Sequence, residues 1–278
     1  IKMKSGLKWS DGKAITVDDV IWSINSALRV TRINANYSNA FKLIDGASAV
    51  TASNKVNMSG LTANGDEITI KLGAPQPLLI PILAQFMILP KHVLESEDLL
   101  RLDTNKYWLN PVGSGPFKVE TLNPDNFITL VQNPNYEGPK AKIAKINVVV
   151  SSALLADARS GKLDYFVTQD ADTIRGMKSV STFKSFQTGG APFHRYWIFN
   201  LSNADNPLKN VKAREALKYG VDWNNIVKAA YPHGKVINSG VPSGLPFHLN
   251  SIPKYKFDVA NAKALLKDAN FDFSKTVR

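Results

Sequence analysis

Apolar side chains recur at helical spacing near the start of the chain, directly after a turn at Asp11 and Gly12. This spacing predicts an amphipathic helix with one face in a core. Thr16, followed three residues later by Asp19, predicts a capping box at its start, with Asp where Glu or Gln is usual. The apolar residues of the predicted face are Val17, Val20, Ile21, Ile24 and Leu28.

The rest of the pattern predicts a mixture of strands and helices. Strands are predicted at 47–58, 67–72, 117–122, 127–132, 145–150 and 193–200, with a turn at 62–66 and a strand that leaves into a loop over 164–170. Helices are predicted in the proline-punctuated apolar segment 77–90, at 152–160, and around Leu217 and Leu265. An α/β fold is therefore expected.

Composition indicates a globular chain. With 44% hydrophobic and 21% charged residues over 278 positions, it can bury a substantial core, and its length suggests about two domains. The chain contains no cysteine, which excludes disulfides, cysteine zinc sites and thiol catalysis. The apolar stretch 77–90 is shorter than the ~20 residues that a membrane-spanning helix needs.

The net charge of +11 raises the question of a nucleic-acid partner. No two Lys or Arg residues are adjacent, and the densest basic segment, 140–145, interleaves Lys with Ala and Ile. This distribution is typical of a solvated basic surface, so no nucleic-acid partner is predicted.

Catalytic constellations are absent from the sequence. The four histidines, at 92, 194, 233 and 248, show no metal-ligand spacing. The segment 113–116 reads G-S-G-P, which is neither a phosphate loop nor a nucleophile elbow. No catalytic residue, metal ligand or cofactor is predicted.

Six segments, in order along the chain, resemble the signatures of one family. The first reads K-W-S-D-G-K-A-I-T-V-D-D-V at 8–20 and the second N-P-V-G-S-G-P-F at 110–117. The others lie within 133–146, 160–164, 199–222 and 257–271. Together they resemble the family 5 extracellular solute-binding proteins, the peptide- and nickel-binding receptors that feed ABC importers.

The resemblance implies an α/β, two-lobed fold of the periplasmic-binding-protein type with mixed sheets. Residues 1–108 would form the extra subdomain of lobe one, 109–192 the core of that lobe, and 193–278 a hinge strand and the start of lobe two. The family's pattern extends beyond both ends of this stretch. The resemblance therefore leads us to expect a truncated chain with an incomplete second lobe.

Ligand contacts are also implied by the resemblance. Tyr196 and Ile198 would face the ligand from the hinge strand, because strand alternation sends Trp197 to the opposite face, where we expect it inside the structure. Some family members carry an acid at the position of Ile198, which pairs with a basic ligand side chain. Ile198 cannot form that pair, so the resemblance gives no reason to expect a preference for lysine.

Three further contacts are implied outside the hinge strand. Thr168 and Gln169 would line the cleft from lobe one, with a solvated loop as the alternative. Tyr37 would cover the ligand from the extra subdomain, with structural packing as the alternative.

The implied function is the substrate-binding component of an ABC importer, which captures short peptides outside the membrane by interlobe closure and catalyses no reaction. Its partners would be a small solute and an ABC permease. The protein would be a monomer, peripheral to the membrane through the permease or a lipid anchor. Nickel chelates or oligosaccharides are alternative ligands, and a peptide hydrolase or a nucleic-acid-binding module is a remote alternative.

Overall fold

The computed structural model describes residues 1–30, 34–52, 54, 56–181, 184, 195–231, 234–241, 245, 247–249 and 251–274. The chain divides into two compact units, Ile1–Val150 and Ser151–Arg278. The three-part division at residues 108 and 192 stays a prediction.

In the first unit the described residues form both helices and strands. The helices are α1 (Val17–Ala27), α2 (Ala35–Phe41), α3 (Leu79–Gln85) and α4 (Lys91–Leu94), with 3₁₀ helices at Ala47–Ala49, Leu99–Thr104 and Lys106–Leu109. The strands are β1 (Leu61–Asn64), β2 (Glu67–Ile70), β3 (Phe117–Asn123), β4 (Phe127–Gln132) and β5 (Lys145–Val149).

Helix α1 begins with the predicted capping box. The Thr16 side chain accepts a hydrogen bond from Asp19 N at 3.4 Å, and the Asp19 carboxylate accepts one from Thr16 N at 2.8 Å. The buried face of α1 also carries polar groups that hold neighbouring loops: the Asn25 side chain accepts from Met58 N at 2.8 Å, and the Ser23 hydroxyl accepts from Leu89 N at 2.8 Å. The predicted first helix is confirmed.

The core of the first unit forms around α1, α2 and the β1–β2 hairpin. Burial of these apolar side chains is the main stabilising contribution, at about 25 cal/mol per Å² removed from water. The buried residues of the cluster are Ile24, Ala27, Ala40, Phe41, Ile44, Ala47, Val50, Met58 and Leu61.

The β1–β2 hairpin corrects the prediction of a strand at 47–58. That range holds the 3₁₀ helix Ala47–Ala49, and β1 begins only at Leu61 and runs into the predicted turn. Antiparallel pairing continues up to Asn64 opposite Glu67, because Gly65 adopts φ +60° and allows a two-residue turn.

Strands β3, β4 and β5 form an antiparallel meander in that order. The predicted strand at 127–132 has the bounds of β4, whereas β3 is one residue longer and β5 one residue shorter than predicted. The three predicted strands are confirmed.

The described residues of the second unit are mostly helical or irregular. The helices are α5 (Leu154–Arg159), α6 (Ala171–Met177), α7 (Val211–Gly220), α8 (Trp223–Ala230) and α9 (Val259–Asp268), with a 3₁₀ helix at Pro207–Lys209. Helices α7 and α9 pack together. A small cluster of Ala158, Met177 and Val180 is covered by Leu155 and Phe166.

Two predicted strands are wrong over their described residues. The segment 165–170 is irregular and ends as the cap of α6, where the Asp170 carboxylate accepts from Thr173 N at 2.7 Å. The segment 195–200 is irregular too and ends in a turn, with the Asn200 side chain accepting from Ser202 N at 3.0 Å. Residues 193 and 194 lie outside the described residues. Alternating residues alone do not make a strand, since a strand also needs a paired neighbour.

Candidate functional site

The turn motif at the start of the chain serves the fold. Asp19 is only 4% exposed, and its carboxylate accepts hydrogen bonds from both sides. One oxygen accepts from Thr16 N and, at 3.4 Å, from Trp9 Nε1, while the other accepts from Lys91 N at 2.9 Å. Since buried charged groups need such partners, the motif fixes the turn, α1 and α4 relative to one another.

Ser10 joins three of the six family-like segments. Its backbone N–H donates to Gly113 O at 2.7 Å, and its hydroxyl accepts from Gly113 N at 3.2 Å. Asn135 Nδ2 donates to Ser10 O at 3.1 Å. Turn-to-turn hydrogen bonding therefore accounts for these residues without any catalytic role.

Asp11 and His92 form the closest pair of titratable groups around this turn, with Asp11 Oδ2 and His92 Nε2 at 2.7 Å. Partial burial by itself raises the pKa of Asp11. The hydrogen bonds and positive charges of His92 and Lys13 outweigh it, so the pKa lies below its usual value. Nearby, burial and the Asp11 charge raise the pKa of Tyr107 to about 12. We assign both groups a structural role, because each is held by a hydrogen bond to its own unit.

Tyr37 packs against the core of the first unit. Its ring stacks on Phe41 at 6.3 Å between centroids and meets Phe86 edge-on at 5.2 Å. Its hydroxyl donates to Gln85 O at 2.9 Å. These contacts match the structural alternative for Tyr37, and its ligand contact stays a prediction.

Thr168 and Gln169 lie immediately before the cap of α6. Thr168 is partly buried, and its hydroxyl accepts from Asp170 N at 3.0 Å, whereas Gln169 is exposed. The same segment exposes Tyr165 and Val167, with relative exposures of 80% and 75%. This stretch of the second unit presents a mixed apolar and amide surface, and ligand contact at Thr168 and Gln169 stays a prediction.

The segment 195–198 is not a strand, and two of its side chains contact α8 and the residue after it. Arg195 lies over the ring of Tyr231, 4.8 Å from its centroid, and Trp197 meets Trp223 edge-on at 4.7 Å. Tyr196 and Ile198 are 64% and 80% exposed. Trp223 of α8 and Tyr231, the residue that follows the helix, thus contact Trp197 and Arg195.

Trp197 differs from its prediction. We expected it inside the structure, but it is 53% exposed. The reason is its partner: Trp197 packs against one edge of α8, a helix with no buried residue, and not against a second layer.

Sequence reasoning missed Arg195, Trp223 and Tyr231 as parts of this site. Trp223 and Tyr231 stand eight residues apart, close to two helical turns, so both reach the same segment. The available signal was the strongly one-sided apolar pattern of 223–231, which indicates a helix with a partner face.

The described part of the chain offers neither a metal site nor a membrane-spanning helix. There, no group of three or more His, Cys, Asp or Glu side chains could hold a metal ion. Among the helices of those same ranges, none has the length and apolar character to cross a membrane. His194 and His233 lie outside the described residues.

Comparison with known proteins gives one family. The model of the bacterial extracellular solute-binding proteins, family 5 Middle, matches residues 1–277. A relative in Brucella ovis, provisionally named an ABC transporter peptide-binding protein, is 28% identical over 272 residues, which are 95% of this chain and 48% of the relative. The chain spans about half the length of the curated relatives it matches.

Solved structures agree on the fold. Lactococcal OppA, complexed with an endogenous peptide in the closed conformation, superposes with a TM-score of 0.76 at 21% identity, over 98% of this chain and 55% of that one. NikZ from Campylobacter jejuni, in complex with Ni(L-His), gives a TM-score of 0.69 at 25% identity, over 97% and 51%. The predicted α/β fold of the periplasmic-binding-protein type is confirmed.

Proposed function

The chain belongs to the bacterial extracellular solute-binding proteins of family 5, and we propose from this premise that it captures short peptides outside the cell membrane for an ABC importer. The full-length protein would bind the peptide without chemical change and pass it to a permease. It would act as a monomer held at the membrane by the permease or a lipid anchor. Residues 1–108, 109–192 and 193–278 would be the extra subdomain, the core of lobe one, and the hinge with the start of lobe two.

The observation that carries the proposal is the face formed by Tyr196 and Ile198. Tyr196 and Ile198 are exposed, while Arg195 and Trp197 contact Tyr231 and Trp223. Extended peptides are bound through main-chain hydrogen bonds and through pockets for their alternate side chains, and Tyr196 and Ile198 would line such a pocket. Thr168 and Gln169 would add polar contacts, and Tyr37 an aromatic one.

Capture would follow from closure of the two lobes of the full-length receptor. A ligand that contacts both lobes stabilises the closed state by its differential affinity for that state. Without such a ligand the open state would dominate. Binding and not turnover is the expected activity, since no nucleophile with an adjacent base is found among the described residues.

A nickel chelate is the second candidate ligand, favoured by the likeness to NikZ with bound Ni(L-His). The apolar character of Tyr196 and Ile198 supports the peptide instead. An oligosaccharide remains a third possibility within the family, without a supporting observation in this chain.

Calorimetric titration of the full-length protein tests the proposal. A pooled set of di- to nonapeptides and Ni(L-His) are titrated separately into the native protein and the Tyr196→Ala variant. Peptide binding is expected in the native protein and should be weakened roughly five- to 150-fold by Tyr196→Ala, because an aromatic anchor contributes on the order of 1–3 kcal/mol. Binding of Ni(L-His) with no peptide binding would contradict the proposal.

A further inference from the structure

Asn64 and Gly65 lie at the tip of the β1–β2 hairpin and are the one Asn-Gly pair in the sequence. Both residues are exposed, and Gly65 adopts the left-handed φ of +60°. A Cβ placed on Gly65 would meet no atom within 4 Å beyond its own chain neighbours. The main chain of this turn is therefore open to water.

The backbone nitrogen of Gly65 is free to react. Asn64 pairs with Glu67 across the hairpin, so Gly65 lies in the turn and has no partner in the strand ladder. Among the other backbone hydrogen bonds of the described residues, none has the Gly65 N–H as its donor. Gly65 also lacks a side chain that would shield this nitrogen from the amide carbon of the preceding Asn64 side chain.

Reaction between these two groups needs a brief opening of the hairpin end, because strand pairing with Glu67 holds Asn64 extended. On its outer side the end is held by Met3 N, which donates to Asp66 O at 2.9 Å, and by Lys2 Nζ, which lies 3.8 Å from Asp66 Oδ2. The two side chains of this ion pair are 69% and 54% exposed, and such a pair contributes little. A hairpin end with few buried contacts opens at a small free energy.

We propose that Asn64 is a site of spontaneous deamidation, selected by its place at this exposed hairpin tip. The Gly65 nitrogen forms a bond to Asn64 Cγ, the Cγ–Nδ2 bond breaks, and the amide leaves as ammonia with the proton of the Gly65 N–H. The cyclic imide then takes up one water molecule, and its two carbonyls give the two products, aspartate and isoaspartate. The reaction needs no ligand, so the inference does not depend on the proposed function.

Both products alter the end of the hairpin. Aspartate at position 64 stands opposite Glu67, and like charges at directly opposed positions destabilise a strand pair. Isoaspartate routes the main chain through the former side chain and lengthens it by one carbon atom, so the pairing with Glu67 loses its register. Modified molecules should therefore show faster amide exchange in β1 and β2 than unmodified ones.

Peptide mass mapping of the purified full-length protein, incubated in neutral and in mildly alkaline buffer, tests the proposal. The peptide that contains Asn64 should gain the mass difference between an amide and a carboxyl group. The gain should be faster in alkaline buffer, because the Gly65 nitrogen attacks once its proton is removed. Asn64→Gln, whose amide carbon lies one methylene farther from that nitrogen, should lose the gain. No gain in the native protein, or a gain that persists in Asn64→Gln, would overturn the inference.

Asn25 provides a matched control inside the fold. It is fully buried on α1, where its Nδ2 donates to Ile21 O and its Oδ1 accepts from Met58 N, both at 2.8 Å. Ser26→Gly gives Asn25 the same following residue as Asn64 and removes a buried hydroxyl that has no hydrogen-bond partner among the described residues. In this variant Asn64 should still convert at least about tenfold faster than Asn25, because a buried helix opens more rarely than a hairpin end. Equal rates in a variant with the native circular dichroism spectrum would show that the hairpin tip does not select Asn64, and would overturn the inference.

Discussion

Replacing Asp19 by Ala should destabilise the first unit far more than the same change at its neighbour Asp18. Asp19 is 4% exposed and its carboxylate accepts from Thr16 N, Trp9 Nε1 and Lys91 N at 2.8, 3.4 and 2.9 Å. Asp19→Ala leaves these three donors without their acceptor. Asp18 is two-thirds exposed and only pairs with Lys91 Nζ at 3.6 Å.

The magnitudes follow from these contacts. A hydrogen bond to a charged group contributes about 1.5–3 kcal/mol, and a buried donor left unpaired costs about 1–3 kcal/mol. The capping box adds about 1 kcal/mol. Because such contributions overlap, we expect Asp19→Ala to lower the free energy of unfolding by about 3–5 kcal/mol. Asp18→Ala should lower the free energy of unfolding by less than about 1 kcal/mol, because an exposed ion pair contributes no more than that.

Urea denaturation followed by far-ultraviolet circular dichroism measures both variants, and amide exchange read by mass spectrometry locates the change. Exchange should rise at α1 and α4 in Asp19→Ala and stay native in Asp18→Ala. Asp19→Asn, which keeps one acceptor oxygen without the charge, should fall between them. Equal unfolding midpoints for Asp18→Ala and Asp19→Ala would refute the reasoning.

Three further predictions concern other parts of the chain. The pKa of Tyr107 is raised from its ordinary 10.0 to about 12. The stabilising contribution of the protonated Tyr107 is therefore complete below pH 10 and is lost as the pH rises to 12. Tyr107→Phe should flatten the fall of the unfolding free energy over this pH range, and an unchanged slope would contradict the prediction. Asn270 adopts the left-handed φ of +47° after α9, a conformation that Ala disfavours and Gly tolerates. In paired urea denaturations, Asn270→Ala should lower the free energy of unfolding by about 1 kcal/mol, and Asn270→Gly should leave it unchanged. Trp197→Ala should lower the free energy of unfolding by about half of the ~3–5 kcal/mol that truncation of a buried Trp typically costs, because Trp197 is 53% exposed. A thermal melt that shows the whole ~3–5 kcal/mol would contradict this half-exposed packing.

Local signals in the sequence predicted local structure well. The cap at Thr16 and Asp19 and the strands β3 to β5 were predictable because turn chemistry and alternation act between neighbours in sequence. The ends of β1 were not, because Gly65 permits a turn tighter than the polar run 62–66 suggested.

Contacts between residues far apart in sequence could not be predicted. At 195–198, the contact of Trp197 with Trp223 joins residues far apart in sequence. No pattern within the segment indicates that its neighbour is a helix and not a strand. The ligand contacts assigned to Tyr37, Thr168, Gln169, Tyr196 and Ile198 stay predictions, since they depend on a ligand as well as on the fold.

Native mass spectrometry of the full-length protein, purified without denaturation, tests peptide capture most directly. We expect a population whose added mass is released on activation and fragments as peptide, and a loss of that population in Tyr196→Ala with native stability retained. A released species that is a metal chelate or a sugar would contradict the account, as would a protein that carries no added mass and acquires none when peptides are supplied.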